Sequence, residues 1–278
     1  MRGRKGVRRL FIALTALALH TALQTSFLVA GTAPAQAESR LDRVQRTGLL
    51  RVCMWPDYYA ISYRNPYSGE LQGLDIDMAR AFAQDLGARV SFMESGFPSF
   101  IADLLGDRCD IGMFGIGVTA ARAEKVAFSR PYLRSGIYAV SSQTHPRILR
   151  WDDLDQEGMV VAVQKGTFMD DFAHRTFRKA SVHIVSGPQE REEEVQSGRA
   201  DAFLTDYPYG QRMLAFHQWA HLIAPDRPVQ TTPYAYAVAP GDPAWLDRVN
   251  RFVEAVKGDG RLEAAAARFR LTPIVSRD

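Results

Sequence analysis

The chain has 278 residues, with 34 lysines and arginines against 31 acidic residues, a formal net charge of +3. Residues 1–37 hold five of those basic residues and none of the acidic ones, so residues 38–278 carry 29 against 31, a net −2. That near-neutral body of 241 residues gives no charge-based case for nucleic-acid binding, and it is long enough for two domains.

In chain order, residues 1–37 combine a basic start (Arg2, Arg4, Lys5, Arg8, Arg9), an apolar run at 10–19 and the small-residue site Ala35-Gln36-Ala37. This pattern reads as a secretory signal peptide cleaved after Ala37. His20, Thr21 and Gln24 break the apolar run well short of the ~20 residues needed to span a bilayer. Export without an anchor implies the periplasm or secretion, and the periplasm is the expectation. A short helix is expected at 40–46 and a strand at 49–54. Asp75 is placed to cap a helix whose Ala79, Phe82, Ala83 and Leu86 recur at helical spacing. A strand at 89–93 and a helix at 97–105 follow. Cys53 and Cys109 each lie at the start of a strand pattern. A disulfide forms if those strands are neighbours; two buried thiols are the equal alternative.

The segment GIGVTAARAEKVAFSRPY, 115–132, is the most informative stretch. A glycine-spaced turn leads from a short apolar strand into a helix start at Thr119, with Arg122 in its first turn. Freed amides beside one guanidinium suit a carboxylate. Beyond residue 142 the alternation restarts, with strands at 159–163, 182–185 and 202–205 and helices at 169–177 and 190–197. The acidic run Glu190 to Glu194 reads as a solvated helix face. Extended segments at 138–141 and 234–239 bracket this set, and helices at 243–256 and 262–269 close the chain. The arrangement is α/β, with two lobes, a two-strand hinge and a cleft between them. Residues 38–138 and 239–278 make the first lobe, and 139–238, hinge strands included, the second. His217 and His221 lack a third ligand, and Gly112, Gly115 and Gly117 lack the Lys-Ser/Thr of a phosphate loop, so no metal and no cofactor is expected.

Five blocks in order carry a family resemblance: RLDRVQRTGLLRVCM (40–54), GLDIDMARAFAQDLG (73–87), the 115–132 segment, VAVQKGTFMDDFA (161–173) and GRADAFLTDYPYG (198–210). Together they resemble the periplasmic solute-binding proteins of polar amino acid ABC transporters, family 3. The resemblance implies the type II periplasmic binding protein fold, a monomer that closes over an amino acid or organic acid, and a membrane permease as partner. It implies that Arg122 pairs with a ligand α-carboxylate, helped by Gly117, Thr119 and Thr167. Asp206 is implied to receive the ligand ammonium, with Tyr58 and Phe97 over the ligand side chain. Read without the resemblance, Thr119, Thr167 and Asp206 are helix caps and the aromatics are core.

Departures from the family pattern bear on the ligand. Gly117 stands where many members have serine, Trp55 where the residue is often small or acidic, and Phe168 and Met169 where polar residues are usual. The pocket is expected to be more apolar than that of a basic amino acid binder. Two alternatives share the fold. Cyclohexadienyl dehydratases, acting on prephenate or arogenate, resemble the chain closely but carry a glutamate general acid where this chain has Met169. Asp170, next along, faces elsewhere on the helix. Accessory proteins of quinoprotein methanol dehydrogenases share the LRVC and RCD motifs but lack the Arg-bearing block. No catalytic residues are expected.

Overall fold

The computed structural model describes residues 38–277, so the expected signal peptide lies outside the described residues. The runs LLRVCM and VVAVQ, largely buried and apolar, are interior strands of two five-stranded sheets. In the first sheet the strand Leu49–Met54 lies parallel to Arg89–Glu94 on one side and to Ile111–Gly112 on the other. Ala237–Val238 then pairs antiparallel with Ile111–Gly112 and with Ala127–Phe128. In the second sheet Val160–Gln164 lies parallel to Ser181–Val185 and Ala202–Thr205, and Tyr138–Ser142 runs antiparallel between Ala202–Thr205 and Ala220–Ile223.

The expected hinge strands need correcting. Residues 138–142 belong wholly to the second sheet and 237–238 to the first. The crossing is made instead by a separate antiparallel pair, Leu133–Ser135 with Thr232–Tyr234. A three-stranded meander, Asp57–Tyr58, Ser62–Arg64 and Leu71–Gln72, stands beside the first sheet. These strands are too short to show a periodicity of their own.

Helices cover the sheets. Phe82 on Leu74–Asp85 packs against Trp245 and Phe252 of Pro243–Gly258, with ring centroids 5.5 and 4.5 Å apart, and the Trp245 indole N–H donates to the Asp110 carbonyl at 2.9 Å. The C-terminal helices therefore return to the first sheet. Ser39 Oγ and the Arg40 amide both donate to the Asp242 carboxylate, at 2.8 and 2.7 Å, which ties the start of the described chain to the same place.

Asp75 does not cap its helix. Gly73 does, at φ 130°, and a side chain there would press into the Ile61 carbonyl. The fully buried Asp75 carboxyl turns inward and accepts from the Gly115 amide and the hydroxyls of Tyr132 and Tyr236. The helix expected to start at Phe97 starts at Phe100. Cys53 and Cys109 are joined in a disulfide, their Cα atoms 5.6 Å apart. Among the described residues no helix is long and apolar enough to cross a membrane.

Candidate functional site

The expected site residues stand just beyond the carboxyl ends of strands, or on the short segments that follow them. Trp55 follows Leu49–Met54, Phe97 follows Arg89–Glu94, Gly117 follows Ile111–Gly112, Thr167 follows Val160–Gln164 and Asp206 follows Ala202–Thr205. Crevices outside such strand ends are where α/β sheets bind ligands. Segments from both sheets meet there around one pocket. It is lined by six of the expected residues, Trp55, Tyr58, Phe97, Arg122, Thr167 and Asp206, together with Gln164, Phe168, Met169, Arg191, Thr205 and Tyr209. The cavity measures about 20 Å³, room for about one water.

Arg122 is 7% exposed. Its Nη1 donates to the Gly117 carbonyl at 2.7 Å, and its Nη2 to the Gly166 carbonyl at 3.0 Å, on the loop that follows a strand of the second sheet. The guanidinium carbon lies 5.4 Å from the ring centres of both Phe97 and Phe100. Among the described residues no carboxylate stands within ion-pair distance of it. Burial lowers its pKa to about 10, with the more distant Asp171 opposing, so the group stays charged at neutral pH. A buried cation held only by carbonyls and ring faces is expensive on its own, and an oxyanion is its natural counterpart.

Thr119 and Gly117 lie behind the pocket wall rather than in it. The helix Ala120–Ala123 is one short turn, and the half-buried Thr119 hydroxyl caps it by accepting from the Arg122 amide at 3.3 Å. The hydroxyl thus serves the local cap that the reading without the resemblance gave it. Gly117 supplies its carbonyl to Arg122. A β-carbon at position 117 would sit 3.0 Å from both Phe168 and Thr232. The glycine and Phe168, two separate departures from the family pattern, are thus a matched pair: the ring occupies the space a serine would need. Thr167 is buried, donates to the Gln164 carbonyl at 2.8 Å and caps the helix Phe168–Thr176.

Asp206 caps the helix Tyr207–Phe216 through the Tyr209 amide at 3.1 Å. Its other oxygen accepts from the hydroxyls of Tyr58 and Tyr234, the latter at 2.6 Å. Burial pushes this carboxyl's pKa up, against the pull of the two phenols, the Tyr209 amide and the Arg191 charge. Trp55, Tyr58 and Phe97 form an aromatic trio with ring centroids 5.3–5.9 Å apart. Met169 faces the pocket; Asp170 turns away, accepting from the Gly166 amide and meeting His174.

Sequence reasoning missed Arg191, Thr205, Gln164 and Tyr209. It also misjudged the acidic run. Arg191, Glu192 and Val195 form the buried face of the helix Pro188–Gln196, and Glu192 is enclosed by Tyr209, Arg212 and His217. The spacing of Arg191 four residues before Val195 was the available signal. Among the described residues no group of three or more histidine, cysteine, aspartate or glutamate side chains is placed to hold a metal.

The profile of the bacterial extracellular solute-binding proteins, family 3, matches residues 50–272. The chain belongs to this family. Cyclohexadienyl dehydratase of Pseudomonas aeruginosa is 30% identical to it over 259 residues, 93% of this chain and 92% of that protein. A probable amino-acid ABC transporter-binding protein of Haemophilus influenzae is 28% identical over 80% of this chain and 84% of its own. Among solved structures, an ancestral amino acid-binding protein described as a precursor of cyclohexadienyl dehydratase superposes with a TM-score of 0.76. It is 31% identical, and the match covers 83% of this chain and 99% of the other. The solute-binding protein thus has the type II periplasmic fold expected of the blocks in its sequence. Its relatives include binding proteins and an enzyme.

Proposed function

We infer that this chain is the extracytoplasmic solute-binding component of an ABC transporter, closing over a small carboxylate-bearing solute held by Arg122. The observation that carries the reading is a buried guanidinium with no acidic partner among the described residues, contacted from segments of both sheets. The lobes are the halves built on the two sheets, joined at the pair Leu133–Ser135 and Thr232–Tyr234. Ligand binding draws them together, and only its preference for the closed arrangement can do so. The small cavity supports this: a solute enters when the two sides part and the Tyr58–Asp206 and Arg122–Gly166 hydrogen bonds open. Asp206 takes a ligand amine, where there is one, in exchange for the Tyr58 hydroxyl. Residues 1–37 direct the chain to the periplasm, where it acts as a monomer and passes its solute to a membrane permease.

Arg122→Met tests this. Charge-assisted hydrogen bonds contribute roughly 1.5–3 kcal/mol, so affinity for the best binder in a thermal-shift panel of amino and organic acids is expected to fall about 10- to 150-fold by calorimetry. The fold should survive, because removing a buried cation relieves a desolvation cost. Unchanged affinity in the variant would remove the carboxylate from Arg122.

A second reading is favoured by the identity to the Pseudomonas aeruginosa dehydratase. It meets two obstacles, Met169 at the position of the acid and Asp170 turned away from the pocket. The carboxyl that remains in the pocket is Asp206, and burial biases it toward its protonated form. Incubation with prephenate is expected to give no turnover above background; turnover abolished by Asp206→Asn would establish the enzyme.

A further inference from the structure

Two pocket side chains have no part in the reading above. Arg191 is 3% exposed. Its Nη1 donates to the Leu204 carbonyl at 2.7 Å, and the guanidinium lies over the rings of Phe203 and Tyr209, 5.2 and 4.7 Å from their centres. Its Nε is buried and meets no hydrogen-bond partner. Thr205, 1% exposed, lines the same pocket, and its Oγ1 also has no partner. Among the described residues no carboxylate lies within ion-pair distance of Arg191. A purely structural brace on Leu204 accounts for Nη1 but leaves the bare Nε and the bare hydroxyl unexplained. Buried donors without acceptors carry their full desolvation cost, and native interiors hold few of them.

Charge balance points the same way. Arg122 stands on a segment following the first sheet and Arg191 on a helix of the second, and Asp206 is the one acidic side chain that lines the pocket with them. The site therefore has positive charge in excess. A zwitterion with one carboxylate brings no net charge, and a cationic amino acid adds to the imbalance. A second carboxylate corrects it.

We propose that Arg191 and Thr205 form a second oxyanion subsite, so that the solute is a small dicarboxylic acid gripped at one end by each arginine. The proposal rests on the reading that Arg122 holds a carboxylate, and it assigns the other end of the solute. The guanidinium Nε and the hydroxyl are both donors without acceptors on residues that line the same pocket, and a carboxylate can accept from each.

Calorimetry on the mature chain, with pairs matched in length and differing by one carboxylate, tests it: succinate with butyrate, glutarate with pentanoate, L-glutamate with L-glutamine. At least one dicarboxylate is expected to bind tenfold or more tightly than its partner. Arg191→Met should abolish that margin, weakening the dicarboxylate at least tenfold more than its partner, and Thr205→Val should shrink it severalfold. Arg191→Lys, which keeps the charge, guards against a folding defect and should retain part of the preference; circular dichroism checks each variant. Equal affinity in every pair, or an Arg191→Met variant that weakens both members alike, overturns the proposal. Binding that depends on Arg122 but shows no preference for the second carboxylate sinks this inference alone. Failure of every acid to bind sinks the carboxylate reading of Arg122 with it.

Discussion

Between about pH 4 and pH 7 the protein is expected to lose stability that an Asp75→Asn variant keeps. Asp75 is wholly buried, and that burial raises its pKa to about 7, even though the Tyr132 hydroxyl, the Gly115 amide and the Tyr236 hydroxyl all favour the carboxylate. The folded chain therefore holds a proton on Asp75 over a range where the unfolded chain has released it. The contribution is fully present below the unfolded value, near 4, and falls as pH rises to the folded value, near 7. A gap of about three units corresponds to about 4 kcal/mol at most. Asparagine keeps an acceptor for Gly115 and never ionises. Urea unfolding at pH 4.5, 6 and 7.5 should show the variant gaining on the parent as pH rises. Parallel curves would mean that Asp75 does not titrate in this range. The effect reaches the site, because the Gly115 amide that Asp75 accepts opens the loop whose Gly117 carbonyl anchors Arg122.

Removing the disulfide should cost about as much. Cys53 and Cys109 are 56 residues apart in sequence, and closing a loop of that length restricts the unfolded chain by about 4 kcal/mol. Domains commonly have a total of only about 5–15 kcal/mol. The Cys53→Ala/Cys109→Ala double variant, which introduces no buried hydroxyl, should shift the urea midpoint down accordingly. A loss below about 1 kcal/mol would show that the reduced unfolded chain already holds these segments together. The strand carrying Cys53 and the one following Cys109 are direct neighbours in the first sheet, which brings the two cysteines within bonding reach.

Much of the architecture was legible because its longer interior strands are mostly apolar runs and its helices carry clear periodicity. The strands at 57–58, 62–64, 71–72 and 127–128 were not, because two or three residues cannot display an alternation. Asp75 misled because an aspartate at a helix start resembles a cap, whereas the backbone at Gly73 is what begins the helix. Six of the eight expected site residues line one pocket, and four of them, Trp55, Phe97, Thr167 and Asp206, follow strand ends that the pattern had already placed. Arg191 escaped notice for the opposite reason. Embedded among glutamates, it looked like one more solvated charge, and its spacing from Val195 was the single sequence sign that the helix turns this face inward. Gly117 and Phe168 could be named as departures but not as partners, because their fit spans segments from different sheets.

Both ends of the described chain are fastened to the same half. Ser39 and Arg40 are bonded to Asp242, and the tail returns past the crossing pair, where the Ser276 amide donates to the Tyr132 carbonyl. Under the proposed closure, immobilising the protein through either end therefore leaves the half between residues 136 and 231 unattached and free to move with the ligand. A dye near the exposed Phe216 would ride on that swinging half, while an end label would stay with the anchored one, so the distance between the two becomes a direct ruler for opening.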